Sequence, residues 1–172
     1  MFNAPWAFNS PLGFNAPPPS GPEPPEPVLY DGGSVLEALS AWWADQTDLR
    51  ALVSDGLVWH AEAPETTAEP YATYLLAAET ERDGRTTDGA ILDSLVQISI
   101  HAETDAQAVA IRKAVRKAVL NARLSVDGEP VQHVLPGGQT TGLGEGLGLG
   151  GRDCWVATFD LEIAHSIDSD SE

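Results

Sequence analysis

From Asp153 to His165 the chain alternates without a break. Trp155, Ala157, Phe159, Leu161 and Ile163 fall on one side, and Val156, Thr158, Asp160, Glu162 and Ala164 on the other. A period of two sustained over such a run is a β-strand. One side is far more apolar than the other, so the sheet that holds this strand must be covered on that side. Leu92 to Ala102 repeats the pattern, with Val96, Ile98 and Ile100 set against Gln97, Ser99 and His101.

The cover is legible too. Ser34 with Glu37, and Thr104 with Gln107, have the spacing of a capping box, in which a side chain takes up an otherwise orphaned helix N–H. After the first, Val35, Leu39, Trp42 and Trp43 share one helical face. After the second, Ala108, Ile111, Val115, Ala118, Val119 and Ala122 form a stripe. Asp45 to Thr47 breaks the first helix, and a short second turn with Leu49, Leu52 and Val53 ends at Gly56.

Leu57 to Ala61 reads as a strand, and Ala63-Pro64 through Glu69-Pro70 as a loop. Tyr71 to Glu79 is a strand that pairs with Leu92–Ala102 as an antiparallel hairpin. Between them Thr80 to Asp88 is polar, with Asp83-Gly84 and Asp88-Gly89 as turn signals. Asp127-Gly128 turns the chain, Val131 to Leu135 is a short strand, and Pro136 to Gly151 is a glycine-rich loop. The expected fold is α+β, with a mainly antiparallel sheet and two helices packed on one face. It spans residues 34–166, and a short acidic tail follows at 167–172.

Residues 1–33 differ in kind. Phe2-Asn3-Ala4-Pro5-Trp6-Ala7, Phe8-Asn9-Ser10-Pro11-Leu12-Gly13 and Phe14-Asn15-Ala16-Pro17-Pro18-Pro19 form a near-repeat, and more proline follows to Pro27. Proline fixes φ and removes a donor, so the segment is expected to be an extended arm. Burying Phe2, Trp6, Phe8 or Phe14 is worth roughly 1.5–3 kcal/mol each. Ordering each backbone residue costs about 1–2 kcal/mol. Such an arm orders only on a groove that already exists. Two readings stand: a partner-docking arm anchored by those four aromatics, or a floppy tail or strand pad on its own domain.

The 26 acidic and 9 basic residues give a net charge of −17. A surface of that sign repels phosphate, which argues against sequence-specific nucleic-acid binding. Five of the nine basic residues, Arg112, Lys113, Arg116, Lys117 and Arg123, sit together on and just after the second helix. They form either a contact surface for an acidic neighbour or a solvated helix face. A single cysteine, Cys154, rules out an internal disulfide. No apolar run approaches the ~18 residues of a membrane span, and no secretory signal is read at the N-terminus.

Catalytic and cofactor chemistry finds little support. Gly146-Leu147-Gly148-Leu149-Gly150-Gly151 fits a dinucleotide-binding string, but a strand follows it where a helix is needed. The better reading is a loop that meets a neighbour through Leu143, Leu147 and Leu149, or one that is merely mobile. His60, His101, His133 and His165 have no metal-ligand spacing and are expected as half-exposed strand residues. Cys154 has no local activating group and is expected to be buried or at a sheet edge. The expectation is a protein that is not an enzyme and uses no cofactor or metal.

Three stretches carry a family resemblance. They are Val35-Leu36-Glu37-Ala38-Leu39 running through Asp48-Leu49-Arg50-Ala51-Leu52-Val53 to Gly56-Leu57-Val58-Trp59; Glu69-Pro70-Tyr71-Ala72-Thr73-Tyr74; and Val96 to Ala102 with Ala106-Gln107-Ala108 and Ala114 to Val119. In order and spacing they resemble the tail-completion, or tail-terminator, family of long-tailed bacteriophages. The proline-rich arm and the long glycine-rich loop are additions to that pattern.

The resemblance implies a structural virion protein at the neck, assembled in the host cytoplasm. It implies a homohexameric ring that caps the tail tube and joins it to the head connector, with DNA only as passing cargo and no membrane partner. It also gives the acidity a use, with Glu79, Glu81, Asp83 and Asp88 near the hairpin tip as lumen or rim acids; the alternative is ordinary loop charge. Other readings are a different connector part, such as a stopper or adaptor, and a small dimeric regulatory or ligand-binding module.

Overall fold

The computed structural model describes residues 28–86 and 89–167. Strand β1, Tyr30–Gly32, leads into helix α1, Val35–Asp45, whose N-cap Ser34 accepts from the Glu37 amide at 3.3 Å. Helix α2 is the short Thr47–Arg50, and strand β2 is Val58–His60. Strands β3, Tyr71–Thr86, and β4, Gly89–Ala102, pair antiparallel as the sequence predicts. Helix α3, Asp105–Val119, starts at Thr104, whose hydroxyl accepts from the Gln107 amide at 3.2 Å. Both capping boxes therefore close their helices' N-termini with the side-chain bond expected of them.

Strands β5, Leu124–Val126, and β6, Glu129–Pro130, form a tight hairpin through Asp127 and Gly128. Both turn residues have positive φ, 52° and 83°, as a two-residue hairpin of this hand requires. Strand β7, His133–Gly144, a single 3-10 turn at Leu149–Gly151, and strand β8, Cys154–Ile167, complete the order.

The main sheet runs β2-β3-β4-β8-β7, antiparallel except for the β2–β3 pair. A second sheet, β1-β5-β6, closes one end. The core lies between the main sheet and the helices. Val96, Ile98, Ile100, Phe159, Leu161 and Ile163 meet Leu39, Trp42 and Trp43 of α1 and Ile111, Val115 and Val119 of α3. Fully burying a side chain such as Phe159 contributes about 1.5–3 kcal/mol. The fold is α+β, as expected.

Three boundaries differ from the sequence reading. β1 lies inside the segment read as arm. It is held by parallel pairing to β5 and by Asp31, which accepts from Ser125 Oγ at 2.6 Å and Gly128 N at 3.0 Å. β3 runs to Thr86 and does not stop near Glu79. From Leu76 to Arg82 its side chains are exposed, so no apolar alternation marks it. β7 occupies Pro136–Gly144, half of the supposed loop. A border strand tolerates proline and glycine, and the register shifts between Pro136 and Gln139 where Gly137 and Gly138 sit.

Candidate interaction surfaces

The face of the main sheet away from the helices carries polar side chains and a cavity. The cavity, of about 710 Å³, opens over Tyr71, Thr73, Gln97, Ser99, His101 and Thr158. Its walls are the loop after β2, Ala61 to Thr67, and the loop before β8, Gly146 to Gly151. Strand alternation puts these polar side chains here, because the same strands give their apolar partners to the core.

Glu69 joins the two walls. Its carboxylate is buried and accepts from the Leu149 amide at 2.7 Å, while Arg152 approaches its other oxygen at 4.0 Å. Gly148 lies directly against it, leaving no room for a Cβ. Two residues on, Tyr71 donates to the Leu147 carbonyl at 2.6 Å and lies flat on His101, with ring centroids 4.3 Å apart and planes 8° from parallel. Burial pushes the Tyr71 phenol up to about 12 and the His101 imidazole down to about 4. The sequence marks Glu69-Pro70 only as a loop end and Tyr71 as a strand start; their tie to the glycine-rich segment is set by tertiary contact.

His101 Nδ1 stands 3.8 Å from Cys154 Sγ. Burial raises the thiol, as do the nearby negative charges of Glu69 and Asp153, and burial lowers the imidazole. The thiolate–imidazolium pair of a cysteine nucleophile is thus disfavoured at neutral pH, and the two side chains act as packing. His101 and His165 are buried, whereas half-exposed residues were expected; Cys154 is buried. His165 bonds to Ser94 Oγ at 3.3 Å, and Ser94 in turn donates to Glu79 at 3.0 Å.

The basic residues of α3 line a groove of about 500 Å³ against β7, with Arg112, Lys113, Arg116, Lys117, Asn121 and Gln139 around it. Arg112 differs from the surface cation the sequence suggests. It is 8% exposed and donates to the Thr140 carbonyl at 2.7 Å and to Thr141 Oγ1 at 2.9 Å, fastening α3 to β7. Lys113 and Lys117 are exposed.

The remaining candidates are scattered. Leu143 is exposed on β7 and Leu147 on the loop, at 56% and 51%, while Leu149 is half-buried beside Glu69. Glu79 and Glu81 are exposed on the outer half of β3. The Asp83 side chain, Asp88 and the arm anchors Phe2, Trp6, Phe8 and Phe14 lie outside the described residues. Among the described residues, no helix is long and apolar enough to cross a membrane.

Comparison with known proteins agrees with the fold. The family model described as tail completion protein gp17 matches residues 37–142. A chain of the virion of the native gene transfer agent particle has a similar fold, at 21% identity and a TM-score of 0.53, over 73% of this chain and 88% of that one. No curated protein matches in sequence.

Proposed function

The chain belongs to the family of tail completion protein gp17, and from that premise we propose that it is a tail terminator: six copies form a ring that caps the tail tube and joins it to the head connector. The family makes it a structural protein of a phage tail. The observation that carries the finer reading is the match itself, which takes in both helices of the cover, the central hairpin and nearly all of β7.

The surfaces support a protein that works by contact. The groove on α3 offers positive charge on a chain of net charge −17, and Leu143 and Leu147 stand out from the β7 side. The proline-rich arm, with Phe2, Trp6, Phe8 and Phe14, reaches to a neighbouring neck protein, and the acidic surface keeps passing DNA from sticking to the ring.

Tube assembly tests the reading. The tail-tube protein of the same virion is polymerised with and without this chain, and tubes are measured by negative-stain microscopy. A terminator stops elongation and is found at one tube end. A stopper or adaptor leaves tube length unchanged and binds the head connector instead.

A further inference from the structure

We infer that neighbouring copies of this chain join through the two charged borders of the main sheet, the Glu79–Glu81 stretch of β3 in one copy seating in the groove between α3 and β7 of the next. The inference rests on the ring reading above and names the surface that builds the ring.

The sheet leaves both borders available. β2 covers only Ala72–Tyr74 of β3, so from Leu75 to Thr86 that strand has no outer neighbour among the described residues. β7 forms the opposite border. A long unpaired border invites pairing with another chain unless charge or a bulge blunts it. Here a register shift between Leu76 and Ala78, then Glu79 and Glu81, restrict what can approach.

The two charged sets lie on one face. Ser94 alternates with Val96, Ile98 and Ile100, which point to the helices, and it donates to Glu79. Glu79, and Glu81 two residues on, therefore project from the helix-bearing side. The groove on α3 is on that same side at the other border. Among the described residues, neither acid and none of Arg112, Lys113, Arg116 and Lys117 forms an ion pair. The Nε atoms of Arg112 and Arg116 are buried without an acceptor. A buried guanidinium N–H lacking a partner is costly, and a carboxylate is its strongest acceptor.

The acid and the base occupy different patches at opposite ends of one sheet, so the contact is head-to-tail and repeats until a ring closes. Chains of net charge −17 repel one another, and a local positive groove facing local carboxylates is what lets them approach.

Charge reversal in the full chain tests this. One variant carries Lys113→Glu with Lys117→Glu, and the other Glu79→Lys with Glu81→Lys. Circular dichroism checks folding and sedimentation velocity reads assembly. Each variant alone should lose at least ~10-fold in ring fraction at a concentration where the wild type is assembled, consistent with several ion pairs per ring. An equal mixture should regain rings, because the two kinds alternate around an even-numbered ring. Oxidation of an Glu81→Cys, Lys117→Cys chain should also give a ladder of linked copies. Rings that persist in either variant, or fail to return in the mixture, overturn the inference and leave the ring reading intact. A wild type that forms no ring overturns both.

Discussion

A Cβ on Gly148 would fall inside the carboxylate of Glu69, the group that holds the neighbouring Leu149 amide at 2.7 Å. A side chain at that position would also crowd the Arg152 carbonyl at 2.9 Å, so Glu69 or the loop before β8 must shift to admit it. Gly148→Ala should cost about 1–3 kcal/mol through overpacking. Glu69→Ala should cost a similar ~1–3 kcal/mol by leaving a buried N–H without an acceptor, whereas Glu69→Gln keeps an acceptor and should lose less. Thermal denaturation of the three variants checks the order; equal melting temperatures for all three and the wild type would contradict it.

His101 makes stability depend on pH. Its folded value, about 4, lies below the ordinary imidazole value of 6.5, because burial disfavours the charged form. As pH falls, the unfolded chain takes up the proton first. The contribution is therefore present above about 6.5 and is lost between about 6.5 and 4, up to ~3 kcal/mol. His101→Gln does not titrate there, so the wild type's stability advantage over it should shrink across that window. Urea denaturation of both proteins at a series of pH values reads the difference; parallel curves would show that His101 is not held neutral by the fold.

Core and surface should separate cleanly. Phe159 is fully buried between sheet and helices, and Phe159→Ala should cost about 3–5 kcal/mol. Leu143 is more than half exposed on β7, so Leu143→Ser should change stability by no more than about 0.5 kcal/mol. If Leu143 serves a contact with another chain, its loss appears in tube binding and not in melting. A Leu143→Ser protein that melts several degrees lower would place the residue in the core's support instead.

Removing residues 1–27 should leave the melting temperature of the domain unchanged and weaken binding to a neck partner. A truncated chain that unfolds would make the arm part of the fold and end its reading as a docking segment. Comparing melting curves of the two lengths decides this.

Much of the fold was legible because packing writes itself into the sequence. Phe159, Leu161 and Ile163 on β8, and Ile111, Val115 and Val119 on α3, announce their faces because each meets the other across a dry core. The outer half of β3 has no such face: Glu79, Thr80 and Glu81 are all exposed, and backbone pairing with β4 alone makes them a strand. β7 was hidden for a related reason, since Gly137, Gly138 and Gly142 carry no side chains to alternate. The charged groups of α3 were visible as a cluster. That Arg112 turns inward to Thr140 was not, because its partner comes from 28 positions along the chain.

Ring assembly is what separates a tail terminator from a small binding module. Its most direct test is the mass of the purified full-length protein by size-exclusion chromatography with light scattering, with negative-stain images of the same peak. A species six times the 18.2 kDa chain is expected, seen as a closed ring with a central opening. A compact dimer with no opening would contradict it and favour a small binding module.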